Sequence, residues 1–463
     1  MEKEKISIKQ ILAILSAGLF SFCGVVIETA TNITFPTLMN EFQVSTSDVQ
    51  WMTTGNLLMM GIFIPISSYL KKRYQTKKLF LIAGILFTLG LLIDIFANSF
   101  SILLIGRLIQ GIGVGIALPM MYNIILDESP KHLLGLMMGF GAFVTAAAPA
   151  IGPTYGGLMT QFLNWRFIFI GILPIIVCAM IMGTVCIRTN RVDTQEKLDV
   201  LSFLTIGFSF VLLIMGFSNL DKILETPLKV LICFLIGLLS LLYFSYRQKH
   251  IEKPLIQFDI FKEKSFVFHS LAIMLLQMTT LGLGLLLPIY VQIVLGKSAA
   301  DAGIVLLPGA IIGAVFAPIG GLILDRFKAI KPIMTGTCFS LVAMSLFLIL
   351  FNNLSYGVCL VLYFVYCIGI GLVVGNTMTC ALSHLSKDLQ ADGNAALQTL
   401  MQLSGGIGTS ISAAIIAFAQ NGQSSLAGTM QGSLYVFIFL LVIVILVMIN
   451  QIMAFQGGQK DVV

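Results

Sequence analysis

Apolar stretches of about 20 residues follow one another along almost the whole of this 463-residue chain. Runs of that length are what a membrane-spanning helix requires. The chain is 57% hydrophobic and 10% charged, whereas about 25% of residues are charged in a soluble domain. No polar stretch is long enough for a separate soluble domain. The composition therefore predicts an all-α integral membrane protein. Fourteen spans are expected, at roughly 11–35, 50–70, 79–97, 101–126, 133–158, 165–187, 199–217, 228–246, 266–295, 303–324, 332–350, 356–383, 393–419 and 431–455. The first run is too long for the apolar core of a signal peptide and reads as a retained helix.

The net charge of +6 sorts by connector, so it is no nucleic-acid signature. Alternate connectors on one side hold only Arg166, Lys222, Lys229 and Lys297. Arg107 falls inside a span. The rest of the 27 Lys and Arg lie with the two termini on the other side. The positive-inside rule then places both termini in the cytoplasm. The eight cysteines lie in or beside apolar runs without a CxxC, and the histidines near helix ends. Packing is expected of them, with neither a metal site nor a cofactor.

Two patterns recur. GRLIQGIGVG from Gly106 is answered by CIGIGLVVG from Cys367; pairing Gly111 with Gly369 gives an offset of 258 residues and sets Val365 opposite Arg107. SSYLKKRYQTKK from Ser67 is answered by GGLILDRFKAIK from Gly320, with Arg73 matching Arg326 at an offset of 253. The simplest arrangement is a six-helix bundle over 1–187, two inserted helices over 188–250 and a second six-helix bundle over 251–463. Repeated halves around a central path are how many transporters alternate access.

Three charges sit well inside the spans: Glu28, Asp94 and Arg107. A charge in hydrocarbon costs several kcal/mol, about 3 on insertion scales, so such groups need partners and usually serve ion or substrate movement. Thr31 and Asn32 share a helix face with Glu28. Glu28 lies roughly 12 Å, and Asp94 roughly 7 Å, below the outer surface at about 1.5 Å per residue. An acid switched between an apolar setting and one facing a cation can load and release a proton. Arg stays charged and needs an anion or several acceptors. Gln110, Asn123, Gln277, Asn376 and Gln402 are further candidate cavity linings, although hydrogen bonding between helices would account for them equally well.

Several segments together resemble the major facilitator superfamily, in particular its fourteen-helix drug:proton antiporters. ETATNITFP from Glu28 resembles the first-helix motif, in a form similar to lincomycin-resistance-type exporters of Gram-positive bacteria. LIGRLIQGIG from Leu104 resembles the fourth-helix motif with its intramembrane Arg, and NWRFIFIGILP from Asn164 the start of the sixth helix. APAIGPTYGG from Ala148 resembles the fifth-helix antiporter motif, with Pro149, Gly152, Pro153, Gly156 and Gly157 in place and Ala148 replacing its first Gly. The motif between the second and third helices is degenerate, with Lys72 where the family has Asp. Its second-half copy keeps Gly321, Asp325 and Arg326, on which the resemblance places a cytoplasmic latch.

The resemblance implies a major facilitator fold and drug:proton antiport with alternating access, in the cell membrane of a bacterium. Glu28, Arg107 and Asp94 would couple protons, Asp94 on physical grounds alone. The partners expected are the lipid bilayer, small lipophilic substrates and protons, with a monomeric chain and no enzymatic chemistry: there is no P-loop, metal cluster or nucleophile–base pair. A dedicated exporter of one metabolite, signalling nucleotide, peptide or lipid precursor, and a non-transporting sensor or scaffold, remain open on the same residues.

Overall fold

The computed structural model describes residues 7–129, 134–189, 198–251, 254–327 and 329–456, and no strand occurs among them. The helices are α1 (Ile8–Ile33), α2 (Phe35–Phe42), α3 (Thr46–Val49), α4 (Trp51–Phe63), α5 (Ser67–Arg73), α6 (Thr76–Ile95), α7 (Phe100–Glu128), α8 (Leu134–Phe162) and α9 (Phe167–Cys186). They continue as α10 (Val200–Ser218), α11 (Pro227–His250), α12 (Lys264–Ile289), α13 (Ala299–Ile304), α14 (Leu307–Phe327), α15 (Ile330–Ile349), α16 (Tyr356–Ser383), α17 (Lys387–Gln420) and α18 (Ser425–Gln456). Among the described residues, 12 helices are long and apolar enough to cross a membrane.

The second and fifth of the fourteen expected spans are not among those 12. The second is interrupted: α4 stops at Phe63 and α5 resumes at Ser67. Pro65 lies in the gap, where it has no N–H to give a helix. The fifth falls on α8, 29 residues long, many of whose side chains lie outside the described residues. The first span also ends earlier than expected, at Ile33, where Thr34 turns the chain into α2.

Close helix contact follows the glycines. A Cβ at Gly113 of α7 would lie 2.8 Å from Ala83 O and 3.0 Å from Phe87 N of α6. One at Gly369 of α16 would lie 2.8 Å from Ser340 N of α15 and collide with Gly336 O. One at Gly115 would lie 3.1 Å from Phe63 Cβ of α4, and one at Gly371 would lie 3.1 Å from Phe316 Cβ of α14. Each partner in the second half lies 253 residues beyond its first-half equivalent. The same 253 separates two capping boxes, Ser45 with Asp48 and Ser298 with Asp301. Along α7 and α16 the offset becomes 256, from the helix-capping Ser99 to Ser355. A three-residue turn between α15 and α16, Phe351–Asn353, accounts for the difference. The expected offset of 258 is therefore corrected to 256. Tyr363, not Val365, stands where Arg107 stands, and Tyr366 answers Gln110.

Helices α10 and α11 form a hairpin. Ser209 Oγ donates to Gly237 O at 2.8 Å, and Ser240 Oγ to Thr205 O at 2.9 Å. Arg247 grips Asp199 at 2.8 Å, and Gln248 ties Ser202 Oγ at 2.6 Å to the backbone N–H of Leu255 at 2.6 Å. Ile206, Phe210 and Ile214 of α10 pack with Leu58 and Ile62 of α4 and Leu403 of α17. Most of α11 turns apolar side chains outward, among them Leu235, Leu239 and Leu242. An apolar face of that extent belongs against lipid.

Hydrogen bonds between the halves gather towards one end of the bundle. Gln292 Nε2, on a π-helical turn that extends α12, donates to Ile33 O at 2.9 Å. Thr46 Oγ1 donates to Gln420 Oε1 at 3.0 Å, and Thr54 and Thr409 hydroxyls meet at 2.7 Å. At the same end, Ala300 N donates to Gln161 Oε1 at 3.0 Å.

Candidate functional site

Glycine again sets the geometry of the charged residues. A Cβ at Gly106 would collide with Asp94 Oδ1, and one at Gly90 would lie 2.5 Å from Gln110 Cγ. Their absence lets α6 and α7 close directly on the Asp94 carboxyl. Asp94 lies in the last turn of α6 yet is 0% exposed, and Arg107 is 1% exposed.

Gln110 joins the two. Its Oε1 accepts from Arg107 Nη1 at 2.5 Å, and its Nε2 donates to Asp94 Oδ2 at 2.7 Å. The amide can be oriented only this way, because a guanidinium offers donors and no acceptor. Arg107 Nε donates to Met52 O at 3.1 Å, and Arg107 O accepts from Asn56 Nδ2 at 2.9 Å, which binds the site to α4. Arg107 Nη2 and Asp94 Oδ1 are buried without a hydrogen-bond partner. Unsatisfied buried groups of this kind are uncommon and ask for a reason.

Glu28 joins the same layer from α1. Gly24 packs directly on Val114 of α7. One turn further along α1, on the same face, Glu28 comes level with Gln110. It is buried, 7% exposed. Its neighbours secure the helix around it: Thr31 Oγ1 donates to Glu28 O at 2.9 Å, and Asn32 Oδ1 accepts from Thr53 Oγ1 of α4 at 2.5 Å. Arg107, Gln110 and Asp94 are therefore joined by hydrogen bonds, and Glu28 approaches them on α1, where Thr31 bonds to its own helix and Asn32 to α4.

The fifth-helix glycines support this layer from behind. Cβ atoms at Gly152 and Gly156 of α8 would collide with Thr29 Oγ1 and Ala30 O of α1, the turn that follows Glu28. One at Gly157 would lie 2.5 Å from Ala299 O of α13, and one at Gly303 would collide with Pro153 O. Helix α8 is thus pressed between the Glu28 helix and the second half. Pro149 lies a turn earlier within it.

The remaining candidates lie elsewhere. Asn123 lines a small recess with Ser67, Lys71 and Thr76, about 24 Å along α7 from Arg107 at 1.5 Å per residue. Asn376 donates to Leu372 O of its own helix at 2.7 Å and packs at Gly320 of α14. Gln277 faces Gly405 of α17, and Gln402 reaches Met60 Sδ of α4 at 3.7 Å. Open space surrounds Gly321. Asp325 and Arg326 lie on α14, but their side chains are outside the described residues. In the second half the layer has no charge: Tyr363 and Tyr366 replace Arg107 and Gln110, and Tyr366 OH meets Thr280 Oγ1 of α12 at 3.1 Å. Among the described residues no group of three or more metal-ligating side chains occurs.

Comparison with known proteins agrees with this architecture. The chain is 34% identical over 419 residues to the lincomycin resistance protein LmrB of Bacillus subtilis (strain 168), covering 89% of this chain and 86% of that one. It is 25% identical to the multidrug resistance protein B homolog of Mycobacterium tuberculosis (strain ATCC 25618 / H37Rv), covering 86% and 75%. Among solved structures, a bacterial homolog of the human lysosomal transporter Spinster, inward-facing and occupied, superposes with a TM-score of 0.69 at 16% identity, covering 97% of each chain. A D-xylose–proton symporter superposes with a TM-score of 0.65 at 14% identity, covering 98% and 97%. Residues 15–409 match the Major Facilitator Superfamily, and this multi-pass helical chain belongs to that family.

Proposed function

We propose that the protein is a proton-coupled exporter of lipophilic compounds, which admits external protons in exchange for a drug leaving the cell. The observation that carries this reading is the set of three buried charges, Glu28, Asp94 and Arg107, within apolar spans, with Gln110 linking Arg107 to Asp94. Buried ionisable groups in a membrane span cost too much to be kept for packing alone. Relatives named for lincomycin and multidrug resistance support the substrate class. Glu28 is the main protonation site and the contact for a cationic substrate, and Arg107 is its electrostatic partner. No metal or organic cofactor enters; the proton gradient supplies the work. The reading includes fourteen spans in a 6 + 2 + 6 order, a monomer in the bacterial plasma membrane and cytoplasmic termini. The sorting of Lys and Arg by connector supports that orientation. Hydrogen bonds between the halves then gather at the outer end, as in a state closed to the outside.

The test uses purified protein in liposomes, with the external face lining the lumen and the membrane potential clamped. An acidic lumen should drive uptake of tetraphenylphosphonium or lincomycin, and Glu28→Gln should abolish the gradient-driven part. Uptake indifferent to the gradient rejects antiport.

A further inference from the structure

The layer contains one cation and two carboxyls. Arg107 stays charged, and unmatched charge in hydrocarbon is costly. One carboxylate balances it; the second carboxyl has no charge to meet. Asp94 is poorly placed for a permanent anion. It sits in the last turn of α6, where the helix end carries partial negative charge. Its one hydrogen-bond donor is the neutral Gln110, and Oδ1 has none. Arg107 Nη2 is equally buried and unpartnered, so one arm of its fork is free.

Other ionisable groups around the layer are few. Arg166, at the start of α9, reaches Ala97 O at 2.9 Å and pairs with Glu41 at 3.1 Å. From α8 comes the Tyr155 phenol, which donates to Ile168 O at 3.0 Å. Helix α1 adds the Cys23 thiol and, in its first turn, Lys9; α12 adds Lys264 and His269 near its start, and the next group along α7 is Tyr122. Helix α4 adds none. None of these supplies a second cation inside the layer.

We propose that Asp94 and Glu28 share one proton, and that Arg107 pairs with whichever carboxyl lacks it. Gln110 is the positioning residue that keeps Arg107 in line with Asp94. This deepens the antiport reading and rests on it. Asp94, near the outer end, is the entry station. When its proton passes to Glu28, the Asp94 carboxylate is matched by Arg107. When Glu28 releases that proton towards the cytoplasm, Arg107 turns to the Glu28 carboxylate and Asp94 is refilled from outside. One proton enters and one leaves in each cycle.

Infrared spectroscopy of the purified protein at neutral pH, with 13C-labelled aspartate to separate Asp from Glu, tests the sharing directly. The wild type should show one protonated-carboxyl band. Asp94→Asn and Glu28→Gln should each lose it, because the remaining acid becomes the counter-ion of Arg107. A band that persists in Asp94→Asn, or in Glu28→Gln, overturns the proposal. Gln110→Leu should move the band wholly to aspartate and remove gradient-driven uptake while substrate counterflow persists; a band divided as in the wild type removes Gln110 from the account. Counterflow retained by Asp94→Asn shows that the variant is folded. Gradient-driven uptake intact in Asp94→Asn but lost in Glu28→Gln defeats the relay alone. Uptake intact in Glu28→Gln defeats the antiport reading itself.

Discussion

Gln110 donates to Asp94 at 2.7 Å while accepting from Arg107, so a neutral amide links the buried acid to the buried base. The linkage depends on two helices meeting without side chains between them. Gly106 leaves the space that the Asp94 carboxyl fills.

Gly106→Ala should therefore push Asp94 off Gln110 or part α6 from α7. Overpacking of this kind costs about 1–3 kcal/mol. The thermal unfolding midpoint in detergent should fall, together with gradient-driven uptake. An unchanged midpoint with full uptake would show that the carboxyl has room to move.

The contact of α8 with α1 makes a similar demand. Gly156→Ala would set a methyl against Ala30 O, two residues beyond Glu28. Transport should drop markedly, with the protein still eluting as a single species. Wild-type uptake would remove α8 from the coupling account.

Thr54 and Thr409 meet at 2.7 Å across the halves. In a background without the native cysteines, Thr54→Cys with Thr409→Cys should cross-link through a short reagent and stop transport, and reduction should restore it. Transport by the fully cross-linked protein would mean that this seam need not open.

Arg247 holds the Asp199 carboxyl down from its ordinary 3.8 to about 2, chiefly by hydrogen bonding. A carboxyl depressed in the folded state stabilises above its unfolded value and loses that contribution as pH falls through the folded value. Asp199→Asn should thus lower the unfolding midpoint at neutral pH, and the gap to wild type should close between pH 3.8 and about 2. A gap independent of pH would assign the loss to something other than this ion pair.

Glu28, Asp94 and Arg107 stand out in the sequence because a charge in an apolar run is costly and needs a partner or a route to water. Gln110 stands out less: an amide within a span signals a hydrogen bond without naming its partner. The repeat was visible, but α16 offers Gly369, Gly371 and Gly375 to the glycines of α7, so more than one register fits. Only packing chooses, since Gly113 and Gly369 face the third helix of each half. The capping boxes at Ser45 and Ser298 carried the correct spacing as a serine three residues before an aspartate. The break at Pro65 lay hidden in a continuous apolar stretch, and the closing of α6 over Asp94 depends on contacts remote in sequence.

Proton release on substrate binding tests the central claim most directly. Purified protein in weakly buffered detergent, mixed with tetraphenylphosphonium or lincomycin and followed with a pH dye, should release about one proton per bound substrate, and Glu28→Gln should release none. Binding without proton release in the wild type, or equal release from Glu28→Gln, would contradict it.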